Sequence, residues 1–150
     1  MQYRRILVLL LFAVPALLAA KQQDLPELKA RADAAHGGEQ AKLCLQYAHA
    51  ELEYANDLFT KGDVETAQAA VTSVMDCVRK GTQAATTSGK RLKQTEIELR
   101  ELEKRMKDIA ESLNLEDRPP LAKSADEIEQ LRTTLLTRMF GEKAEPKSKS

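Results

Sequence analysis

The sequence predicts an all-α protein built from antiparallel helical hairpins that share a long central helix. Ala, Leu, Glu, Lys and Gln are abundant, whereas the 150 residues include only 6 Gly and 5 Pro. Apolar residues recur at steps of three and four along most of the chain, which is the spacing of one helix face. Capping and turn residues stand where these stripes begin and end. The length suits one domain with a modest core.

The first twenty residues have the features of an export signal. Arg4 and Arg5 precede an apolar run over 6–18, and small residues at 19–20 come before a polar segment. The run is shorter than the roughly 20 apolar residues that span a bilayer. We therefore predict a signal peptide over 1–20 and a secreted or periplasmic protein. Because leucine stands three residues before either candidate cleavage site, an uncleaved membrane anchor is the alternative.

Charge and composition argue against several functions. Removing the signal takes away two basic residues, so 21 basic side chains remain against 23 acidic, a formal charge of −2. A near-neutral chain with interspersed signs has no electrostatic footprint for nucleic acid. Neither His36 nor His49 sits in the spacing of a metal or haem motif, and phosphate-binding and nucleophile motifs are lacking. The sequence predicts no cofactor, no metal site, no catalytic residue and a protein that is not an enzyme.

The first hairpin is the clearest part of the pattern. Residues 24–27, Asp-Leu-Pro-Glu, read as a helix start, and 36–38, His-Gly-Gly, end that short helix. A stronger helix follows over 38–60. The turn residues 61–63, Lys-Gly-Asp, then fold the chain back as an antiparallel hairpin. The stripe of the stronger helix comprises Ala41, Leu45, Ala48, Leu52, Ala55 and Phe59.

The next stripe keeps its phase for more than forty residues. It continues through 86–89, Thr-Thr-Ser-Gly, where composition alone indicates a loop. An unbroken phase predicts one long helix from Asp63 to about Leu113. If the chain instead folds sharply near Gly89, the same segments form a compact four-helix bundle. The stripe comprises Val71, Val74, Val78, Gly81, Ala85, Ser88, Leu92, Thr95, Leu99, Leu102, Met106, Ile109 and Leu113.

The C-terminal third is predicted as a linker, a helix and a tail. Residues 114–123 contain Pro119-Pro120 and read as a linker. A capping box over 124–127, Ser-Ala-Asp-Glu, opens a last helix that returns against 95–113 and ends at Gly141. The helical domain thus covers 21–140, and 141–150 is a polar tail predicted to be disordered.

The two cysteines are predicted to form a disulfide. Cys44 lies about sixteen residues before the hairpin turn and Cys77 about fourteen after it, so the two stand within about one helical turn in height. An even cysteine count in an oxidising compartment favours pairing. Two free buried thiols are the alternative.

Residues 58–67, Leu-Phe-Thr-Lys-Gly-Asp-Val-Glu-Thr-Ala, followed by Val71 and Val74, resemble the central turn of a tetratricopeptide repeat. A glycine-aspartate start is followed there by an alanine five residues after the glycine, where the two helices cross. The match covers about thirty residues, and no second copy is present. The resemblance implies a single helical hairpin of the tetratricopeptide type and, with it, contact with another protein.

These features predict an exported, non-catalytic interaction or scaffold protein of the periplasm or cell envelope. We expect a protein partner or self-association, no nucleic acid, and membrane contact only through an uncleaved signal. Candidate contact residues are Leu92 and Leu99 on an uncovered apolar seam, together with Tyr47 and Tyr54. The alternative is a carrier that holds a small molecule or lipid among Tyr47, Tyr54 and Met75.

Overall fold

A computed structural model of the chain describes residues 14–141, with side chains described from residue 24 onward. Over these residues every regular element is an α-helix, which confirms the predicted fold class. Residues 1–13 of the predicted signal and residues 142–150 of the predicted tail lie outside the described part. The helices are α1 (Val14–Ala34), α2 (Gly37–Thr60), α3 (Val64–Ser88), α4 (Leu92–Ser112) and α5 (Arg118–Gly141).

Four of the helices form a bundle, and the fifth lies along its side. α2 and α3 form one antiparallel hairpin, and α4 and α5 form a second. The hairpins pack face to face with α4 beside α2 and α5 beside α3, while α1 folds back along α2. None of the helices, over the residues described, has both the length and the apolar character of a membrane-spanning segment.

The turn between α2 and α3 has the geometry that its sequence predicts. Gly62 has a φ of +82°, a left-handed conformation that glycine adopts without steric cost. Backbone N–H groups of Gly62 and Asp63 donate back to the carbonyls of Phe59 and Leu58, both at 3.0 Å, which closes α2. The Asp63 carboxylate then caps α3 by accepting from the Thr66 N–H at 3.3 Å.

The predicted long helix from Asp63 to Leu113 is wrong, because the chain reverses after Ser88. Gly89 and Arg91 both take left-handed backbone conformations, with φ of 66° and 60°. The Ser88 hydroxyl donates to the Ala84 carbonyl at 2.7 Å and accepts from the Lys90 N–H at 3.3 Å, which helps to end α3. The alternative four-helix bundle is therefore the observed architecture.

Two other predicted boundaries differ from the structure. α1 begins at Val14 and passes through Asp24 and Pro26, so residues 24–27 are not a helix start. α5 begins at Arg118 instead of Ser124, which makes the predicted linker partly helical. Pro119 and Pro120 fit in the first turn because the N–H groups there have no partner within the helix. Ser124 lies inside α5, where its hydroxyl donates to the Pro120 carbonyl at 2.9 Å.

The core differs in character between the two hairpins. α2 and α3 meet through small residues, and a Cβ built on Gly81 would stand only 2.9 Å from the Cβ of Cys44. α4 and α5 meet through large aliphatic side chains. The largest fully buried side chains of the described part include Leu45 and Leu52 of α2, Val74 and Val78 of α3, and Leu99, Leu102, Met106, Ile109, Leu121, Ile128 and Leu135 of α4 and α5.

Candidate functional site

The first candidate site is a buried pair of cysteines where α1, α2 and α3 meet. Cys44 and Cys77 are both buried, and the two thiols lie close enough that each shifts the pKa of the other. The hairpin therefore brings them together as the residue count from the turn predicts. The structure holds them as free thiols, so the predicted disulfide is not formed in it.

Polar groups from α1 and α3 surround the cysteine pair. The Lys29 ammonium lies 4.0 Å from the Cys77 Sγ and 5.2 Å above the centre of the Tyr47 ring. The Tyr47 hydroxyl shares a hydrogen bond of 2.8 Å with the hydroxyl of Ser73. Sequence reasoning did not identify Lys29 as a neighbour, because no local pattern reveals that α1 lies over this part of the hairpin.

The environment changes the acidity of the buried groups. Interaction with the Cys44 thiol lowers the pKa of Cys77, and the nearby Lys29 charge acts in the same direction. The same interaction and burial raise the pKa of Cys44. Burial raises the pKa of Tyr47 to about 12 and also raises the pKa of Glu51. Cys77 is therefore the more acidic thiol of the pair.

The second candidate site is a groove between α1 and α2, which we call the α1–α2 groove. Its volume is about 510 Å³. Leu25, Leu28 and Tyr54 form an apolar floor that packs on the core. The other lining residues are Ala50, Arg31 and the acids Asp24, Glu27, Glu53 and Asp57.

A shallower depression between α2 and α4 continues from this groove. It has a volume of about 570 Å³ and shares Ala50 and Glu53 with the groove. Its other lining residues are Gln46, His49, Gln94, Glu98 and Glu101. We call the two depressions together the acidic face, because their described lining contains six carboxylates and one guanidinium group. Two further arginines touch it, Arg105 at 2.6 Å from Glu53 and Arg91 at 3.8 Å from Glu98.

The structure separates the residues that were predicted to contact a partner. Tyr54 is half-buried and lines the α1–α2 groove. Tyr47 is only 4% exposed, because its side chain lies inside the fold with Lys29 and Ser73, beside the cysteine pair. Leu99 is fully buried and Leu92 packs against the core, so the expected uncovered seam on α4 is wrong. The cause is the reversal at Gly89, which places α4 between α2 and α5.

The cavity expected for a carrier also takes a different form. Met75 and Tyr47 are buried in the core, and of the three aromatic and methionine residues only Tyr54 lines the groove. The histidines lie apart, His36 before α2 and His49 at the depression beside α4. Within the described residues no group of three or more His, Cys, Asp or Glu side chains is arranged to hold a metal ion.

Comparison with models of protein families, with curated proteins and with solved structures finds no match for this chain. A function therefore has to be argued from the cysteine pair and the acidic face themselves.

Proposed function

We propose that this chain is an exported, non-catalytic helical bundle that binds another protein through the α1–α2 groove. The observation that carries the proposal is the groove itself, a concavity of about 510 Å³ with Leu25, Leu28 and Tyr54 on its floor and acids at its rim. An apolar and aromatic centre with a polar rim is the usual anatomy of a protein interface. The tetratricopeptide-type turn at Gly62 and Asp63 points to the same class of function, and export follows from the predicted signal over 1–20.

Site-specific photocrosslinking tests the proposal in the expressing cell. A photoreactive benzoylphenylalanine replaces Ala50, which is exposed at the groove, or Gln83, which is exposed on α3 outside it. We expect a discrete adduct from position 50 that position 83 does not give, and we expect Leu28→Glu to remove it. Equal adducts from both positions, or none from either, would contradict the proposal.

We also propose that Cys44 and Cys77 form a disulfide after export and that it staples α2 to α3. Exchange takes place before the bundle closes over the pair, because both thiols are buried in the folded chain. The thiolate of one cysteine attacks a disulfide of an exported thiol oxidoreductase, and one sulfur of that enzyme leaves as a thiolate. The other cysteine then loses its proton and its sulfur attacks the mixed disulfide, displacing the enzyme's second sulfur, which leaves the bundle oxidised and the enzyme reduced. Closing a loop of this length contributes about 3–4 kcal/mol in the chain-entropy model.

Alkylation followed by mass spectrometry tests the staple. We expect protein from the exported fraction, denatured before alkylation because both thiols are buried in the fold, to take up no alkylating groups before reduction and two after it. Reduction should lower the melting temperature of the natural chain and leave that of the Cys44→Ala, Cys77→Ala double variant unchanged. Two alkylated thiols in freshly exported protein would show that the staple is absent.

The volume of the groove favours one second candidate, a carrier of a small molecule or lipid. Pockets for such ligands commonly enclose about 300–1,000 Å³. Native mass spectrometry of freshly purified protein should then show a bound mass that Ala50→Trp removes by filling the groove. A spectrum with the mass of the polypeptide alone would eliminate the carrier.

A further inference from the structure

We infer that the acidic face is a docking surface for a cationic amphipathic helix of the partner protein. The inference rests on the proposed function and adds the class of partner to it. It is carried by three features of the described residues: the length of the groove, its apolar floor, and the sign of the charge around it.

The length of the α1–α2 groove matches a short helix. On the α2 side its lining positions include Ala50, Tyr54 and Asp57, which lie on successive turns, and on the α1 side they extend from Asp24 to Arg31. Seven residues of helix cover about 10 Å along the axis. A docked helix presents anchors at i, i+3 or i+4, and i+7 over the same distance.

The floor of the groove suits the apolar side of such a helix. Leu25 is 8% exposed, and Leu28 and Tyr54 are half-buried against the core. Ala50 is exposed and small, so it leaves space above the floor for a side chain of the partner. A rigid aromatic ring beside two leucines is the kind of surface into which a partner's aliphatic anchor packs.

The charge around the groove selects a basic partner. Six carboxylates line the acidic face, against Arg31 in the lining and two arginines that pair with its edge, Arg91 and Arg105. Lys29 of α1 lies over Tyr47 and Cys77 and does not line the face. Complementary charge steers encounter and rejects partners of the wrong sign, so lysines and arginines flanking the anchors are favoured.

Binding of model peptides tests the inference. The protein used is the form of the chain that is isolated from the cells expressing it. The probes are an amphipathic helix of leucine and lysine, a peptide of the same pattern with glutamate in place of lysine, and a leucine–lysine peptide of scrambled order. We expect fluorescence anisotropy to show binding of the leucine–lysine helix at least about tenfold tighter than of either control. Raising the salt from about 0.05 M to about 0.5 M should weaken it severalfold, because the Debye length shortens.

Two charge-reversal variants with the same change in net charge localise the site. Glu27→Lys with Asp57→Lys alters the groove, whereas Glu116→Lys with Asp126→Lys alters exposed positions before and in α5. We expect about a tenfold loss of affinity for the leucine–lysine helix in the first variant and less than about a twofold change in the second. Equal losses would show attraction by net charge alone and would overturn the inference. So would equal affinity for the glutamate peptide.

The photocrosslinking experiment separates this failure from failure of the proposed function. An adduct from position 50 without binding of the leucine–lysine helix would mean that the groove contacts a partner of another chemistry. Absence of both would remove the interface as well as the partner class.

Discussion

The two hairpins of the bundle are held together by different means. In the α2–α3 hairpin the helices approach closely because the residues between them are small. Gly81 faces Ala41 and Cys44 at such a contact, and the buried small residues of the two helices also include Ala48, Ala67, Ala70 and Ala85. In the α4–α5 hairpin large aliphatic side chains lie between the helices, and a cluster of ion pairs closes one side of the seam.

Arg132 is the centre of that ion-pair cluster. Its guanidinium group donates to Glu96 at 2.8 Å and to Glu103 at 2.6 Å, and Lys107 donates to Glu103 at 2.7 Å. The side chains of Arg132, Glu96 and Glu103 are 20%, 13% and 10% exposed. Spacing between helix axes depends on the side chains at the contact, so larger residues leave a seam that a long arginine can bridge. A small-residue contact has no room for such a group.

Gly81→Leu should give the largest effect, because it attacks the close approach of α2 and α3. A Cβ at this position would lie 2.9 Å from the Cys44 Cβ and 3.3 Å from the Ala41 carbonyl oxygen, which belongs to the backbone. Overpacking of this kind costs about 3 kcal/mol. Urea unfolding measures the loss, and Gln83→Leu, at an exposed position of the same helix, serves as control. A midpoint for Gly81→Leu equal to that of the control would show that the helices can separate freely.

Arg132→Leu should be the next most damaging change, and it attacks the other hairpin. It leaves the Glu96 and Glu103 carboxylates without their shared partner in a mostly buried position. Breaking a buried ion pair costs about 3–5 kcal/mol, and partial exposure here reduces the expected loss to about 2 kcal/mol. Replacing Glu96, Glu103 and Arg132 together by leucine should recover most of the stability in urea unfolding. If the triple variant were less stable than Arg132→Leu, the two remaining carboxylates would stabilise the fold more than leucine side chains in their place.

Acid should act on Glu103 of α4 and on Glu51 of α2 in opposite directions. Burial raises the pKa of Glu103, but the hydrogen bonds from Lys107 and Arg132 outweigh it and leave that pKa lowered. The stability that Glu103 contributes is therefore present above its unfolded pKa, near 4.5, and is lost as the pH falls through the folded value. The pKa of Glu51 in α2 is raised by burial, so its cost at neutral pH disappears as the pH falls through that raised value.

Two neutral variants measure this difference. Glu103→Gln should destabilise the fold by about 1 kcal/mol at neutral pH and by less once Glu103 itself is protonated in the natural chain. Glu51→Gln should stabilise the fold at neutral pH. This gain in the free energy of unfolding should vanish as the pH falls to the pKa that Glu51 has in the unfolded chain. Thermal unfolding across the acid range checks both, with exposed Glu65→Gln as the control. Parallel pH profiles for the two variants would contradict the comparison.

The predictability of the fold also differs between the hairpins. The α2–α3 turn was predictable because Gly62 and Asp63 specify a local geometry with local hydrogen bonds. The reversal at 89–91 was not, because the apolar phase continues across it. Ser88 and Leu92 stand four residues apart whether or not the helix is continuous, and α3 and α4 both turn their stripes to the same core. A non-glycine residue, Arg91, completes the break by taking the left-handed conformation.

The candidate sites were predictable only where they depend on one hairpin. The proximity of Cys44 and Cys77 follows from counting residues outward from a turn. Lys29 above Cys77 and the α1–α2 groove depend on how α1 lies across α2, which helical periodicity does not specify. Tyr54 was predicted as a candidate partner-contact residue, whereas Glu53, Asp57 and the acids of α1 have the appearance of ordinary solvated positions when each helix is considered alone.

Arg79→Ala should give the smallest effect, because it removes a link between the hairpins that is open to solvent. The Arg79 guanidinium of α3 donates to the Glu127 carboxylate of α5 at 2.9 Å, with side chains 48% and 34% exposed. This ion pair lowers the pKa of Glu127, but exposed pairs contribute only about 0.5 kcal/mol and are screened by salt. Urea unfolding should show a small loss at low salt that nearly disappears at high salt, with Arg79→Lys intermediate because it keeps the charge and loses the two-pronged geometry. A loss as large as that of Arg132→Leu would mean that the hairpins are joined mainly by charge, and the contrast between a tightly packed hairpin and an ion-paired one would no longer describe what holds the bundle together.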